Sequence, residues 1–464
     1  MSIFTKRRLT MVAGASAAVM YAAATAVAAP GGAPGPSSTD SPYLVRSVPG
    51  VTLTSLLTAG DSVGGYRMAG TPDGLGAFDN GDGTFTVLMN HEFGAGTSVP
   101  RSHGNTSGSF VSRWVIDKDT LEVLSGRDQI TNLITTGSKN IDRLCSADLP
   151  AVTAFYNPAT GLGYNGRIFT NGEESAPNGR AFANVVETGD SYELPALGKA
   201  GWENVAANPA TGNRTVVVGQ SDGGTQNVYV YAGDKQSAGT PVDKAGLTNG
   251  VRKVVNVAGY PVESGGTAFP STPQPFTLSD TGTTFDRPED GAWDPNSPND
   301  YYFVTTASMS KHSRLWKLSF KDASKPELGG TVTKVLEGPA DDSSGSVGPK
   351  MMDNITINDR GQVLIQEDPG GNAYLAGVYQ YDISSGAVRR IADHDPQRFT
   401  TGGSYFDTID EESSGIIPVP FLGKGQYLLD DQNHTKVTDA AQVEKGQLLL
   451  MHVPPGQPVG KDNK

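Results

Sequence analysis

The sequence predicts an all-β chain, a six-bladed β-propeller with insertions in its loops. Three observations lead there. Glycine (58) and proline (30) are abundant and charged residues make up only 18% of the 464 positions, a composition suited to many short strands joined by turns. Long stretches with a helical apolar period are scarce. Finally, one unit recurs six times: a turn, a short apolar strand, and an acidic or amide ending.

The six units run in order along the chain. Asp82-Gly83-Thr84 leads into Phe85 to Met89 and ends Asn90-His91-Glu92. Gly166 leads into Arg167 to Thr170 and ends Asn171-Gly172-Glu173-Glu174. Asn213 leads into Thr215 to Val218 and ends Gln220-Ser221-Asp222. Asn299-Asp300 leads into Tyr301 to Val304 and ends Thr305-Thr306-Ala307-Ser308. Arg360-Gly361 leads into Gln362 to Ile365 and ends Gln366-Glu367-Asp368, and Gly423 to Gly425 leads into Gln426 to Leu429 and ends Asp430-Asp431-Gln432-Asn433. A second, alternating strand follows most of them after a polar loop, as in Val228-Tyr229-Val230-Tyr231. Strand, polar loop, strand, turn is the unit of a propeller blade. A parallel α/β sheet would need a long helix after each strand, and none is supplied.

Equivalent strand ends on six blades converge on one end of a central channel. Five of the six endings carry Asp or Glu. Taken singly, each acid is also what a turn uses. Gathered in one place they repel and stay ionised only with compensating cations. An oxygen-rich cluster with few histidines suits hard ions such as calcium.

The start of the chain reads as a signal peptide over residues 1–28. Lys6, Arg7 and Arg8 precede a run rich in Ala, Val and Met, and Ala26-Val27-Ala28 is a small-x-small cleavage pattern. Arg7-Arg8 permits the twin-arginine route as well as the general one. Residues 29–42, rich in Pro, Gly and Ser, read as a flexible lead-in. Residues 43–464 are expected to form a single propeller domain in an exported protein, periplasmic or extracellular. The chain carries −13, and −16 without the three basic residues of the signal. That balance argues against nucleic acid and anionic membranes as partners. With one cysteine, Cys145, no internal disulfide exists.

Two motifs are set aside. Gly161 to Gly166 matches G-x-G-x-x-G but precedes a strand, so no helix start is there for a pyrophosphate. Gly219 to Gly223 matches G-x-S-x-G around Ser221, yet also leads into a strand rather than the helix a nucleophile elbow requires.

Several short segments, in order, resemble the PhoX family of secreted alkaline phosphatases. They are Asn90-His91-Glu92, Gly172-Glu173-Glu174, Leu197-Gly198-Lys199 with Trp202-Glu203, Asp222, Phe285-Asp286-Arg287-Pro288-Glu289 with Ala292-Trp293-Asp294, Asp353-Asn354 with Glu367-Asp368, and Glu412-Ser413-Ser414-Gly415. Two positions depart: Gly172 stands where the family usually has Cys, and Trp202 where it has His. The resemblance implies iron and calcium ions in the channel and hydrolysis of phosphate monoesters. It would make Cys145 an iron ligand, although an unpaired cysteine is also a common small core residue. Glu174, Glu203, Asp222, Glu289, Glu367 and Glu412 would be metal ligands, with Glu92 and Asp353 as further candidates. Arg287 and Glu289 would be catalytic. Arg287-Pro288-Glu289 puts a fork that can hold two phosphate oxygens and an acid on either side of a stiff point in the chain. A second cationic contact is needed, and Arg398 or His434 could supply it. The expected partners are small phosphorylated substrates, and a monomer is expected. Two other readings stay open. One is a non-enzymatic calcium-binding propeller, which the departures at Gly172 and Trp202 favour. The other is a related metal-dependent esterase or phytase.

Overall fold

A computed structural model describes residues 32–266, 268–340 and 348–455. The signal-peptide segment lies outside the described residues. The strands form six four-stranded antiparallel blades. Blade 1 is Pro72–Asp79, Thr84–His91, Phe110–Asp117 and Val123–Asp128, from the inside out. Blade 2 starts with Leu144–Asp148. Its next run, Ile168–Val185, folds back on itself, since Val186 N–H donates to Arg167 O at 3.1 Å. Asp190–Glu193 completes it. Blade 3 is Lys199–Ala207, Arg214–Ser221, Val228–Asp234 and Val251–Val257. Blade 4 is Pro288–Trp293, Asp300–Thr305, Arg314–Phe320 and Gly330–Glu337. Blade 5 is Met352–Ile357, Gln362–Glu367, Gly377–Asp382 and Val388–His394. Blade 6 is Glu411–Pro418, Gln426–Lys436, Glu444–His452 and Thr52–Thr58.

Each innermost strand packs against the innermost strands of the blades before and after it, and that of blade 6 against that of blade 1. The result is a six-bladed β-propeller. Its ring is closed by the amino-terminal strand Thr52–Thr58, which pairs with Glu444–His452 from the other end of the chain. Insertions decorate the rim. Gln274–Ser279 hydrogen-bonds to the outer strands of both blade 3 and blade 4. Leu44–Arg46 adds to the outer edge of blade 5.

Residues 32–42, expected to be flexible, are instead held on three blades. Ala33–Pro34 pairs in parallel with the closing strand. The Ser37 hydroxyl accepts from Val123 N–H, and Asp40 pairs with Arg398 at 2.9 Å. Proline and glycine in a strand-edge segment did not prevent pairing, because an edge strand needs only half of its backbone groups.

The six seams between blades hold six apolar clusters. Val217 faces the seam between blades 2 and 3, while Val216 and Val218 face the seam between blades 3 and 4. Leu88 faces blade 2, and Val87 and Met89 face blade 6. Both faces of a blade are buried, so its second strand reads as a continuous apolar run rather than an alternating one. That is why these runs stand out in the sequence. Fully buried Trp114 and Trp316 anchor two seams, and truncating either to alanine costs about 3–5 kcal/mol. No helix among the described residues is long and apolar enough to cross a membrane.

Candidate metal centre

Every innermost strand starts at the same face of the propeller, and every second strand ends there. Each innermost strand also breaks register with its neighbour near its start. The breaks fall between Asp73 and Leu75, Leu144 and Ala147, Trp202 and Val205, Pro288 and Gly291, Met352 and Ile355, and Ser413 and Ile416. A bulge re-aims the side chains it carries. In blades 2 to 5 the bulge holds two residues: Cys145-Ser146, Glu203-Asn204, Glu289-Asp290 and Asp353-Asn354. The first of each pair lines a pocket of about 50 Å³ on the axis. The second lines a larger cavity, about 270 Å³, further down the channel.

The backbone before these residues is bent unusually. Thr71 (φ 42°), Arg143 (φ 36°), Arg287 (φ 58°) and Met351 (φ 40°) are left-handed without being glycine. Each stands two residues ahead of a pocket residue: Asp73, Cys145, Glu289 and Asp353. That conformation costs about 1–2 kcal/mol per residue and persists where the surroundings impose it.

The second strands supply the rest. Glu92, Glu174, Asp222 and Asp368 follow them on blades 1, 2, 3 and 5, and Glu412 joins from the innermost strand of blade 6. Blade 4 ends in Thr305 and Thr306 and adds no acid: Thr305 bonds Glu263 at 3.0 Å and Thr306 bonds Met352 O. On blade 6 the Gln432 amide donates to Glu92 at 2.9 Å and to Asp73 at 3.2 Å. Nine carboxylates, one thiol and two guanidiniums thus surround the pocket.

Arg143 spans Glu92 and Glu174. Arg287 spans Asp222 and Glu289, at 2.9 Å from each. These two cations leave a large excess of negative charge if every acid ionises. Burial and mutual repulsion therefore push the carboxyls of Asp73, Glu203, Glu289 and Asp353 well above their ordinary range. Burial first, and Glu412 second, raise Asp368 to about 7. Burial also raises Glu174 to about 7. Glu412 is different: burial opposes its ionisation, but hydrogen bonding to His434 brings it below the usual range. Burial and the nearby acids push the Cys145 thiol well up, and its sulfur donates to Glu174 at 3.1 Å.

Three overlapping triads have ligand atoms within 4.8 Å of one another: Asp73, Glu92 and Cys145; Cys145, Glu174 and Glu203; Glu203, Glu289 and Asp353. Their donors fit hard cations that take six to eight oxygens, with one sulfur available to a softer ion. Cations there would relieve the crowding that otherwise forces protons onto buried acids.

Of the residues singled out from the sequence, Glu92, Cys145, Glu174, Glu203, Asp222, Arg287, Glu289, Asp353 and Glu412 line this pocket. Glu367 does not. Its carboxylate accepts from Lys350 N–H at 2.5 Å, Gly377 N–H at 2.8 Å and Tyr374 O–H at 3.0 Å, and the next residue, Asp368, takes the axial place. Alternation along a strand explains the split, and it recurs. Glu173 turns away to Arg180, and Asp431 turns to His394. Neither Arg398 nor His434 is in the pocket. Arg398 bridges Asp40 and Asp407, each at 2.9 Å, and His434 sits between Glu412 and Glu444. The second cation is Arg143. The signal that marks it is position: it stands two residues before Cys145, as Arg287 stands two before Glu289. Asp73 had no such mark, since Asp73-Gly74 reads as a turn. Ser221 accepts from Gly201 N–H at 3.2 Å and donates to Gly223 O, a backbone role.

Gly172 and Trp202 explain one another. A Cβ at Gly172 would stand 2.4 Å from Trp202 Cβ. Trp202 packs into the seam between blades 2 and 3, and neither residue lines the pocket.

No family model matches the chain, and no curated protein matches it. Solved structures do. PhoX of Pseudomonas fluorescens, in complex with vanadate, a transition state analogue, superposes with a TM-score of 0.59 at 11% identity, over 87% of this chain and 95% of that one. The likeness is one of fold. A gluconolactonase of Xanthomonas campestris (TM-score 0.38, 10% identity, 87% and 90% covered) and the β-propeller domain of a Pyrococcus furiosus protease (0.35, 9%, 85% and 100%) also match.

Proposed function

We propose that the chain is a metal-dependent phosphatase of the PhoX kind, exported, acting on small phosphate monoesters. The observation that carries this is the pocket itself: nine carboxylates and a thiol on one axis, with two arginines beside them. The ordered motifs and the superposition on vanadate-bound PhoX support it. Calcium and iron are the proposed ions, the latter on Cys145.

When bound, such ions supply positive charge and Lewis acidity for phosphoryl transfer. The residues do the rest. Arg287 offers Nε and Nη2 as a fork, now engaged with Asp222, and that geometry suits two phosphoryl oxygens. Arg143 offers a second guanidinium beside Glu92 and Glu174. Charge held in place before reaction favours the transition state. The pocket admits a phosphoryl group but not the organic part of an ester, which would remain outside. Glu289 and its neighbours, pushed toward protonation, would hold metal or exchange a proton with the leaving group.

The calcium-binding reading without catalysis drew on Gly172 and Trp202. Neither lines the pocket, and a Cβ at Gly172 would meet Trp202 in the seam between blades 2 and 3, so the two departures do not favour that reading. The test is elemental analysis of purified protein followed by assay with an aryl phosphate. Arg287→Ala and Glu289→Gln are expected to lower kcat/KM by at least 100-fold, the scale of one positioned charge at a transition state. A metal-loaded wild type that leaves aryl phosphates intact refutes the proposal. Turnover of aryl acetates in their place would assign an esterase.

A further inference from the structure

At the floor of the pocket, three side chains from three blades form a hydrogen-bonded chain. The Asn354 amide of blade 5 donates to Ser146 Oγ of blade 2 at 2.7 Å. The Ser146 hydroxyl donates to Glu203 Oε1 of blade 3, also at 2.7 Å. All three are buried, with 3%, 1% and 4% exposure. Blades 2 and 5 are opposite each other in the ring, so these bonds span the channel. They separate the pocket above from the 270 Å³ cavity below, and Asn354 lines both.

The direction of donation is fixed by chemistry. An amide nitrogen can only donate, so Ser146 Oγ accepts from it and its own proton is left for Glu203. Glu203 is the carboxylate common to two of the three triads. A glutamate free to rotate loses side-chain entropy when it is fixed. A bond to one oxygen fixes the group beforehand and leaves the other oxygen to a ligand. Such supporting bonds orient metal-binding carboxylates.

We propose that Ser146 and Asn354 are positioning residues that aim Glu203 at two adjacent cation sites, through a strut across the propeller axis. The proposal rests on the reading of the pocket as a metal centre. It is tested by stripping the purified chain with EDTA and titrating it with calcium chloride. Glu203→Gln identifies the part of the isotherm that needs Glu203. Ser146→Ala and Asn354→Ala are expected to weaken that part by 10- to 100-fold and to leave the remainder unchanged. Ser146→Thr, which keeps the hydroxyl, is expected to restore it. The double variant should lose no more than Ser146→Ala alone, because the two residues act in series. Calcium binding by Ser146→Ala equal to that of wild type overturns the proposal while leaving the metal centre intact. Equal weakening of every component, without rescue by threonine, shows general loosening and also overturns it. A wild type that takes up no calcium refutes the strut together with a calcium site.

Discussion

Replacing His394 by glutamine should remove a stabilisation that depends on pH in one direction only. The ring is fully buried between blades 5 and 6. Its Nε2 is 2.7 Å from Asp431 Oδ2 and its Nδ1 is 3.0 Å from Ala376 O. A ring protonated on both nitrogens donates to each of these oxygens. Burial alone would lower its pKa. The Asp431 carboxylate, and Glu411 behind it, more than reverse this and raise it from 6.5 to about 9. A histidine raised on folding contributes stability that is full below 6.5 and lost as pH rises through 9. At about 1.4 kcal/mol per pH unit, the full interval is worth about 3.5 kcal/mol, of which about 3 kcal/mol is present at pH 7. Urea unfolding of wild type and His394→Gln, in matched calcium, measures it. The difference between the two should be about 3 kcal/mol at pH 7 and shrink toward zero near pH 10. Subtraction removes the groups that titrate in that range without touching His394; Asp431 and Glu411 do touch it. A difference that stays constant from pH 7 to 10 refutes the buried imidazolium.

Three further outcomes are expected. Gly172→Cys should destabilise by about 1–3 kcal/mol through its clash with Trp202, and adding Trp202→His should recover most of the loss; additive effects in thermal melts would contradict the packing. EDTA-stripped protein should gain stability as pH falls from 8 toward 5, because carboxyls raised on folding, Glu174 and Asp368 at about 7 among them, then take protons; melting curves that ignore pH in that range would argue against crowded acids. Glu367→Gln should lower stability by about 1–3 kcal/mol without changing metal content, since it breaks hydrogen bonds outside the pocket, whereas Asp368→Asn should change metal content; mass spectrometry and urea titration together separate the two.

What the sequence by itself determined was the number of blades and the place of the second strands. Phe85–Met89, Thr215–Val218 and Gln362–Ile365 are legible because both faces of such a strand are buried, so apolar residues fill successive positions and Thr86 is the one polar residue inside these runs. It also marked the acids that end those strands, and the arginine at Arg287. What only the tertiary structure decided was which of two adjacent residues looks at the axis. Glu367 and Asp368 are interchangeable as letters; strand pairing turns one toward Gly377 and the other to the pocket. Asp73 was hidden for the same reason, and Arg143 was marked only by its spacing to Cys145. Their direction comes from a left-handed residue and a bulge on the innermost strand, and these are imposed by neighbouring blades far away in the chain. A side chain's direction in a propeller channel belongs to the closed ring, and the ring exists only once Thr52–Thr58 has paired with Glu444–His452.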